Sequence, residues 1–397
     1  MASTLLKPKF VVLDSSHLAD LARDHASSDE RLRRLAREFQ SAFDATGSVL
    51  LLSWHHMAEL LAHQNPRLVS EVVGFLESLP LVACVSSAKS TDVIGSILDL
   101  QALEVSAAFA NQDADVIAIR DFVARKMLRL TSGPAALRPF LEALPILQTE
   151  FVRQQARDRE IVAISRSDFA GVAQIKIADM LRGHARLPED IRHRLQVMHD
   201  KLSHDMKARG DNRIPDADAT AASFLASVRK LGGAIVGSDN PGLRILEAFG
   251  IELSDIDSNT TVADVGALAS FHSKLRVINR ITQLPWLELK TAISERRLPS
   301  QVVQAGIGQF RPDGKQWKGS DLNDAHLGSL AAYTDVTYVD KRTYEAFRAA
   351  RSKLPILAQL VRRVEKAGRY SDIIEQLRHS NASGRPKVEA LSQDRRS

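Results

Sequence analysis

The strongest constraint on what this chain can fold into is a series of short apolar runs alternating with helical periodicity near its N-terminus. Phe10-Val11-Val12-Leu13 is continuous, apolar and partly β-branched, as a strand buried on both faces must be, and it stops abruptly at Asp14. Leu32, Leu35, Phe39 and Phe43 then recur at helical spacing, with Arg31, Arg33, Arg34 and Arg37 distributed between them as a basic outer face. Gly47 precedes a second run, Val49 to Leu52. Helical spacing resumes from Trp54 to His63 through Met57, Leu60 and Leu61, and Leu81 to Val85 forms a third run after Pro80. Strand, helix, strand, helix, strand at this spacing predicts an α/β fold built on a parallel sheet.

Between Ser90 and Pro299 the character changes. Asp115 to Leu130, Phe151 to Ile164 and Ile191 to Lys207 have helical periodicity and few strand signals, so a mostly helical insert is expected there. Gly232 to Gly237 reads as either a strand or the end of a helix. The α/β pattern then returns, with a helix over Ser320 to Tyr333, a strand over Val336 to Val339 and a helix over Arg342 to Arg351. The expected organisation is a first part of an α/β domain over residues 1–88 and an insert over 89–300. A second part with C-terminal helices follows over 301–380, and then a polar, disordered tail over 381–397.

With 397 residues, 44% hydrophobic and 25% charged, the chain has enough apolar surface for such a core. Cys84 is its one cysteine, which excludes an internal disulfide and a Cys-based zinc site and fits a reducing compartment. No secretory leader and no apolar run of bilayer-spanning length is evident, so the expected location is cytoplasmic, without a membrane partner. The net charge of +5 suits a polyanionic partner but is too small to demonstrate one.

In parallel α/β sheets the functional crevice lies beyond the carboxyl ends of the strands, which is where Asp14 falls. The same residue, with Ser15 and Ser16, also suits a plain helix cap. Glu59 follows the second strand by one to two helical turns and can lean toward that crevice, although a Glu on an amphipathic helix is ordinarily solvated. His55, Glu59 and His63 share a helix face, but the zinc-protease pattern fails because Glu59 is followed by Leu60. Farther on, Gly319 to Leu327 places Asp321 and Asp324 at a helix start, and Asp335 and Asp340 bracket a short strand. Capping accounts for these acids too. No phosphate-binding glycine loop or nucleophile elbow occurs, and Gly306-Ile307-Gly308 lacks a third glycine.

The order strand-Asp, helix-Glu, helix-Asp, strand-Asp resembles the acidic pattern of PIN-domain nucleases. The likeness is best in Val11-Val12-Leu13-Asp14-Ser15-Ser16 and in Asp340-Lys341-Arg342-Thr343, and covers roughly residues 9–86 and 318–351. It implies a PIN-like three-layer fold with a central parallel sheet, interrupted by a large, mostly α-helical insert that most members of the family lack. It also implies Asp14, Glu59, Asp324 and Asp340 as catalytic, metal-holding acids, with Asp321 and Asp335 as neighbours able to replace or support one of them. An internal competitor exists in Pro215-Asp216-Ala217-Asp218 and Gly233 to Asp239, where Asp218 and Asp239 take the places of Asp324 and Asp340. The later pair matches better.

A cysteine-free set of carboxylates suits Mg²⁺ or Mn²⁺ rather than zinc. Lys341 and Arg342 beside the last acid, and Arg34 and Arg37 on the basic helix, are candidate nucleic-acid contacts. The expected activity is metal-dependent endonucleolytic hydrolysis of phosphodiester bonds, with RNA preferred on the resemblance alone. The alternatives are a structure-specific DNA nuclease and a catalytically silent scaffold, whose insert binds a protein partner while the acids only cap helices.

Overall fold

The structure is a computed structural model that describes residues 8–63, 65–167, 174–182, 188–236, 241–248, 250–311 and 318–383. The chain enters the sheet as β1 (Lys9–Val12), then passes through α1 (Ser15–Ala26) and α2 (Glu30–Ala45) to β2 (Ser48–Leu52). Next, α3 (Trp54–Leu61) and α4 (Pro66–Glu77) lead to β3 (Val82–Val85), and α5 (Ile97–Ala110) and α6 (Val116–Ala124) lead to β4 (Leu128–Thr131). A run of helices follows: α7 (Gly133–Glu142), α8 (Leu144–Arg166), α9 (Ile177–Arg182), α10 (Pro188–Arg209), α11 (Ala217–Val236) and α12 (Pro241–Ala248). Then come α13 (Val262–Thr282), α14 (Trp286–Ala292), α15 (Pro299–Phe310) and α16 (Ser320–Ser329). The chain rejoins the sheet as β5 (Val336–Val339) and continues through α17 (Lys341–Lys353), α18 (Pro355–Leu360), β6 (Arg363–Lys366) and α19 (Tyr370–Ser383).

Among the described residues the strands form one six-stranded sheet in the order β4-β3-β2-β1-β5-β6. Every neighbouring pair is parallel except β3 with β4. Because side chains alternate across a strand, the continuous apolar runs feed two cores at once. Val12, Val49, Leu51 and Val85 join one core with residues of α5, α6 and α13–α18. Val11, Leu13, Leu50 and Leu52 join the other, with residues of α1–α4, α7 and α19. Helices therefore cover both faces, and the mixed α/β reading holds. No described helix is long and apolar enough to cross a membrane.

The expected boundaries need correction. Leu100, Ile119, Phe271, Leu275 and Ile307 pack in the same core as Val12 and Leu51, so α5, α6 and α13–α15 belong to the sheet's own layers. The helices whose packing is largely separate are the second half of α8 and α9–α12, with small clusters around Val162 and Leu202 and around Ile177 and Leu246, while Phe151 in the first half of α8 joins the core of α1–α4. Helical periodicity identifies a helix without revealing what it packs on, so residues 89–300 read as one insert. Asp115 to Leu130 is likewise not one helix, since α6 stops at Ala124 and β4 follows. Gly232 to Val236 continue α11, and Gly237 lies outside the described residues. Of the expected tail, residues 384–397 lie outside the described residues, while α19 runs to Ser383.

Candidate active site

Strand β1 lies between β2, the next strand in sequence, and β5, which arrives from the far end of the chain. Successive strands leave β1 in opposite directions, and such a switch point opens a crevice at the carboxyl ends of the strands. The β1–β5 register pairs Val11 with Val336 and Val12 with Thr337. Asp14 and Asp340, just past the two strand ends, are thereby brought to the same edge. Both cap the helix that follows: Asp14 Oδ1 accepts from Ser16 N at 2.8 Å and Asp340 Oδ1 from Thr343 N at 2.7 Å. The second oxygen of each carboxylate takes no part in its cap.

Glu59 reaches this edge from α3, whose start is fixed by a buried histidine. His56 Nδ1 accepts from Ser53 N at 3.1 Å, and its Nε2–H donates to the Leu13 carbonyl at 3.0 Å, tying the end of β1 to the turn after β2. Burial pulls the His56 pKa down to about 4, which keeps the ring neutral and able to both donate and accept. Glu59, one turn farther along, has its pKa raised by burial and by the charge of Asp14, against the pull of the Ser15 hydroxyl. Asp14 and Glu59 line a cavity of about 230 Å³ together with Ser16, Arg23, His63 and Glu71. His55 does not join them: its ring packs on that of His326, with centroids 4.5 Å apart.

Helix α16 supplies the remaining acids. Burial raises the Asp324 pKa to about 7; Arg311 draws it down, and the negative charges of Asp340, Asp14 and Glu59 push it up. Of the four acids picked out by the resemblance, the other three thus act on Asp324. Arg311 Nη2 donates to Asp324 Oδ2 at 2.9 Å and lies 3.4 Å from Asp321 Oδ1, while its Nη1 donates to the Asp321 carbonyl at 2.9 Å. Asp321 is buried and surrounded by cations, since Arg166 reaches its Oδ2 at 3.1 Å and Arg342 its Oδ1. It ties α8, α15 and α17 to α16 and forms no capping box, because the cap position is Gly319.

Other expected site residues fall elsewhere. Asp335 precedes β5, at the opposite end of the strand from Asp340. Its Oδ2 accepts from Phe10 N at 2.9 Å and its Oδ1 pairs with Arg362, so it cannot share an ion with Asp14. Arg342 turns inward to Asp321, whereas Lys341 is exposed at the start of α17. Arg34 and Arg37 are exposed on α2, where Arg37 pairs with Glu30 and Arg34 lies 3.9 Å from Glu38. Asp218 starts α11 and pairs with Lys207 at 2.7 Å; its proposed companion Asp239 lies outside the described residues. Arg311 and Arg166 were not foreseen, because nothing in sequence spacing relates them to α16.

The donor chemistry, all carboxylate oxygen and mutually repulsive, suits a hard divalent cation. Among the described residues, however, no group of three or more acids, histidines or cysteines stands at the spacing that a bound ion requires. The acids converge on one edge without closing into a ligand cage, and a guanidinium lies against one of them. No protein-family model matches the chain, and neither does any curated protein or solved structure, so a functional reading rests on this fold and these acids.

Proposed function

We propose that the chain is a PIN-like, metal-dependent nuclease that hydrolyses phosphodiester bonds, with RNA as the preferred substrate on the strength of the resemblance. One observation carries the reading: Asp14 and Asp340 stand just past the ends of the adjacent parallel strands β1 and β5 at the switch point of the sheet, and Glu59 lines the same cavity as Asp14. Mg²⁺ or Mn²⁺ held there would activate a water and stabilise the leaving oxygen. The chain's own residues supply the rest. Asp14 and Asp340 offer their uncapped oxygens, Glu59 and Asp324 add charge, and exposed Lys341 stands where a neighbouring phosphate would pass.

A second reading, the silent scaffold, is favoured by the Arg311–Asp324 pair and by the caps that Asp14 and Asp340 make. Asn separates the two, because it caps a helix as well as Asp does but carries no charge. Purified chain with Mn²⁺ should cut single-stranded RNA, and Asp14→Asn and Asp340→Asn should each lower the rate by about 100-fold or more with little change in melting temperature. If the unaltered chain neither binds Mn²⁺ nor cuts RNA or DNA, the nuclease reading is wrong.

A further inference from the structure

Positive charge is concentrated in one stretch of the chain. Residues 341–369 carry nine lysines and arginines against two glutamates, whereas the whole chain carries 53 basic against 48 acidic residues, so the remainder is slightly acidic. Several of these cations are committed: Arg342 pairs with Asp321, Arg362 with Asp335 and Arg363 with Glu365, and Lys353 lies over the Phe310 ring. Four others gather on one side. Lys341, Arg348 and Arg351 share with Tyr344 the face of α17 turned away from its buried residues Ala346 and Ala350. Lys366, at the end of β6, stands beside them with its Nζ 5.0 Å from the centre of the Tyr344 ring. We infer that this face binds a single strand of nucleic acid and leads it toward the crevice at the switch point.

Shape and charge both favour that occupant. Tyr344, Arg348 and Arg351 line a groove of about 320 Å³ together with Ala358 and Val364, so cations and apolar surface meet in one concavity. A single strand presents phosphates and flat base faces together and can use both; a duplex keeps its base faces stacked inside, and an acidic peptide has few rings to stack. The positive charge is also not cancelled locally. Glu345 is shared between Arg348 at 2.7 Å and Lys366 at 3.4 Å, while the side chains of Lys341 and Arg351 make no hydrogen bond or ion pair among the described residues. From Lys341 to Arg351 the face runs about 15 Å along the helix. Its upper end lies at Asp340, where the crevice begins. Binding here needs neither a metal ion nor cleavage, so it stands apart from the nuclease reading.

Fluorescence anisotropy of the full chain with a labelled, mixed-sequence single-stranded RNA, in EDTA so that no cleavage intervenes, tests this. The unaltered chain should bind. Arg348→Gln combined with Arg351→Gln should weaken binding by about tenfold and flatten the slope of log affinity against log salt by about 1.4. Neither arginine is buried, so the melting temperature should hold. Tyr344→Leu should weaken binding about fivefold or more and leave that slope unchanged; should it fail to fold, the arginine pair decides alone. Arg34→Gln combined with Arg37→Gln, which removes two exposed arginines from α2, should change neither quantity. No binding by the unaltered chain, or a loss from the α2 pair equal to that from the α17 pair, overturns the inference. Displacement of the RNA by polyglutamate at equal charge overturns it too, and makes the face one for an acidic protein. A chain that binds as expected but cuts nothing with Mn²⁺ loses the nuclease reading alone, and one that cuts while the α17 pair leaves binding unchanged loses this inference alone.

Discussion

An aspartate that caps a helix and an aspartate that holds an ion are commonly treated as rival explanations of one residue, yet a carboxylate has two oxygens and Asp14 and Asp340 commit only one each to their caps. Both were legible in the sequence because an acid directly after a buried strand has its position dictated by the strand. Asp335 misled for the same reason, since an apolar run of four residues does not show which of its ends faces the crevice. Arg311 was illegible, because its pairing with Asp324 arises only when α15 and α16 pack. Glu104, on α5, was also invisible. It is fully buried and accepts from Ser300 N at 2.9 Å, Ser300 Oγ at 2.7 Å and the Tyr333 hydroxyl at 2.5 Å. Burial raises its pKa from 4.5 to about 7, against the pull of those donors. A raised folded pKa means that its contribution is fully present below the unfolded value of 4.5 and is lost as pH rises through about 7. Between about pH 5 and about pH 8 the unaltered chain should therefore lose stability, with a Glu104 share on the order of 3 kcal/mol at most. Glu104→Gln imitates the protonated acid, and its melting temperature should fall less over that range. Identical pH profiles would show that Glu104 does not titrate there.

At the scale of elements, α16 decides how the acids meet, and the helical region holds its first turn. Asp211, between α10 and α11, is buried and pairs with Arg213 at 2.8 Å, which together with the nearby Gly319 backbone holds its carboxyl below the usual range. Gly319 itself packs so closely on α8 that an added Cβ would lie 2.6 Å from Arg159 Cγ. Arg166, at the end of α8, reaches Asp321. Arg166→Ala should consequently weaken Mn²⁺ binding by about tenfold although Arg166 is not among the proposed ligands. Equal affinity would mean that α8 does not position the site. The strands most visible in sequence are those buried on both faces; β4 and β6 escaped notice for physical reasons. In β4, at the sheet's edge, Leu130 is half exposed, and β6 reads Arg-Val-Glu-Lys, where only the valine is buried.

For the whole molecule, the decisive feature is that β5 and β6 extend a sheet begun by β1 far earlier in the chain. The return to an α/β pattern after a long helical stretch made this legible. Where the excursion starts and ends was not, because α5, α6 and α13–α15 carry the same periodicity whether they pack on a sheet or on one another. Without β5, β1 becomes an edge strand with an unpaired ladder, and Val11 and Val12, both buried, lose their neighbours. A chain ending at Phe310 should therefore show no cooperative thermal transition, whereas the full chain should show one; a sharp transition in the shortened chain would place the folding unit elsewhere. The same arrangement imposes a schedule during synthesis. Asp14 and Glu59 leave the ribosome early, but the strand that carries Asp340 emerges only after the whole helical excursion, so a partly made chain holds half of the acid cluster. A centre of the proposed kind would stay incomplete, and unable to cut, until the helical excursion and β5 had both been made.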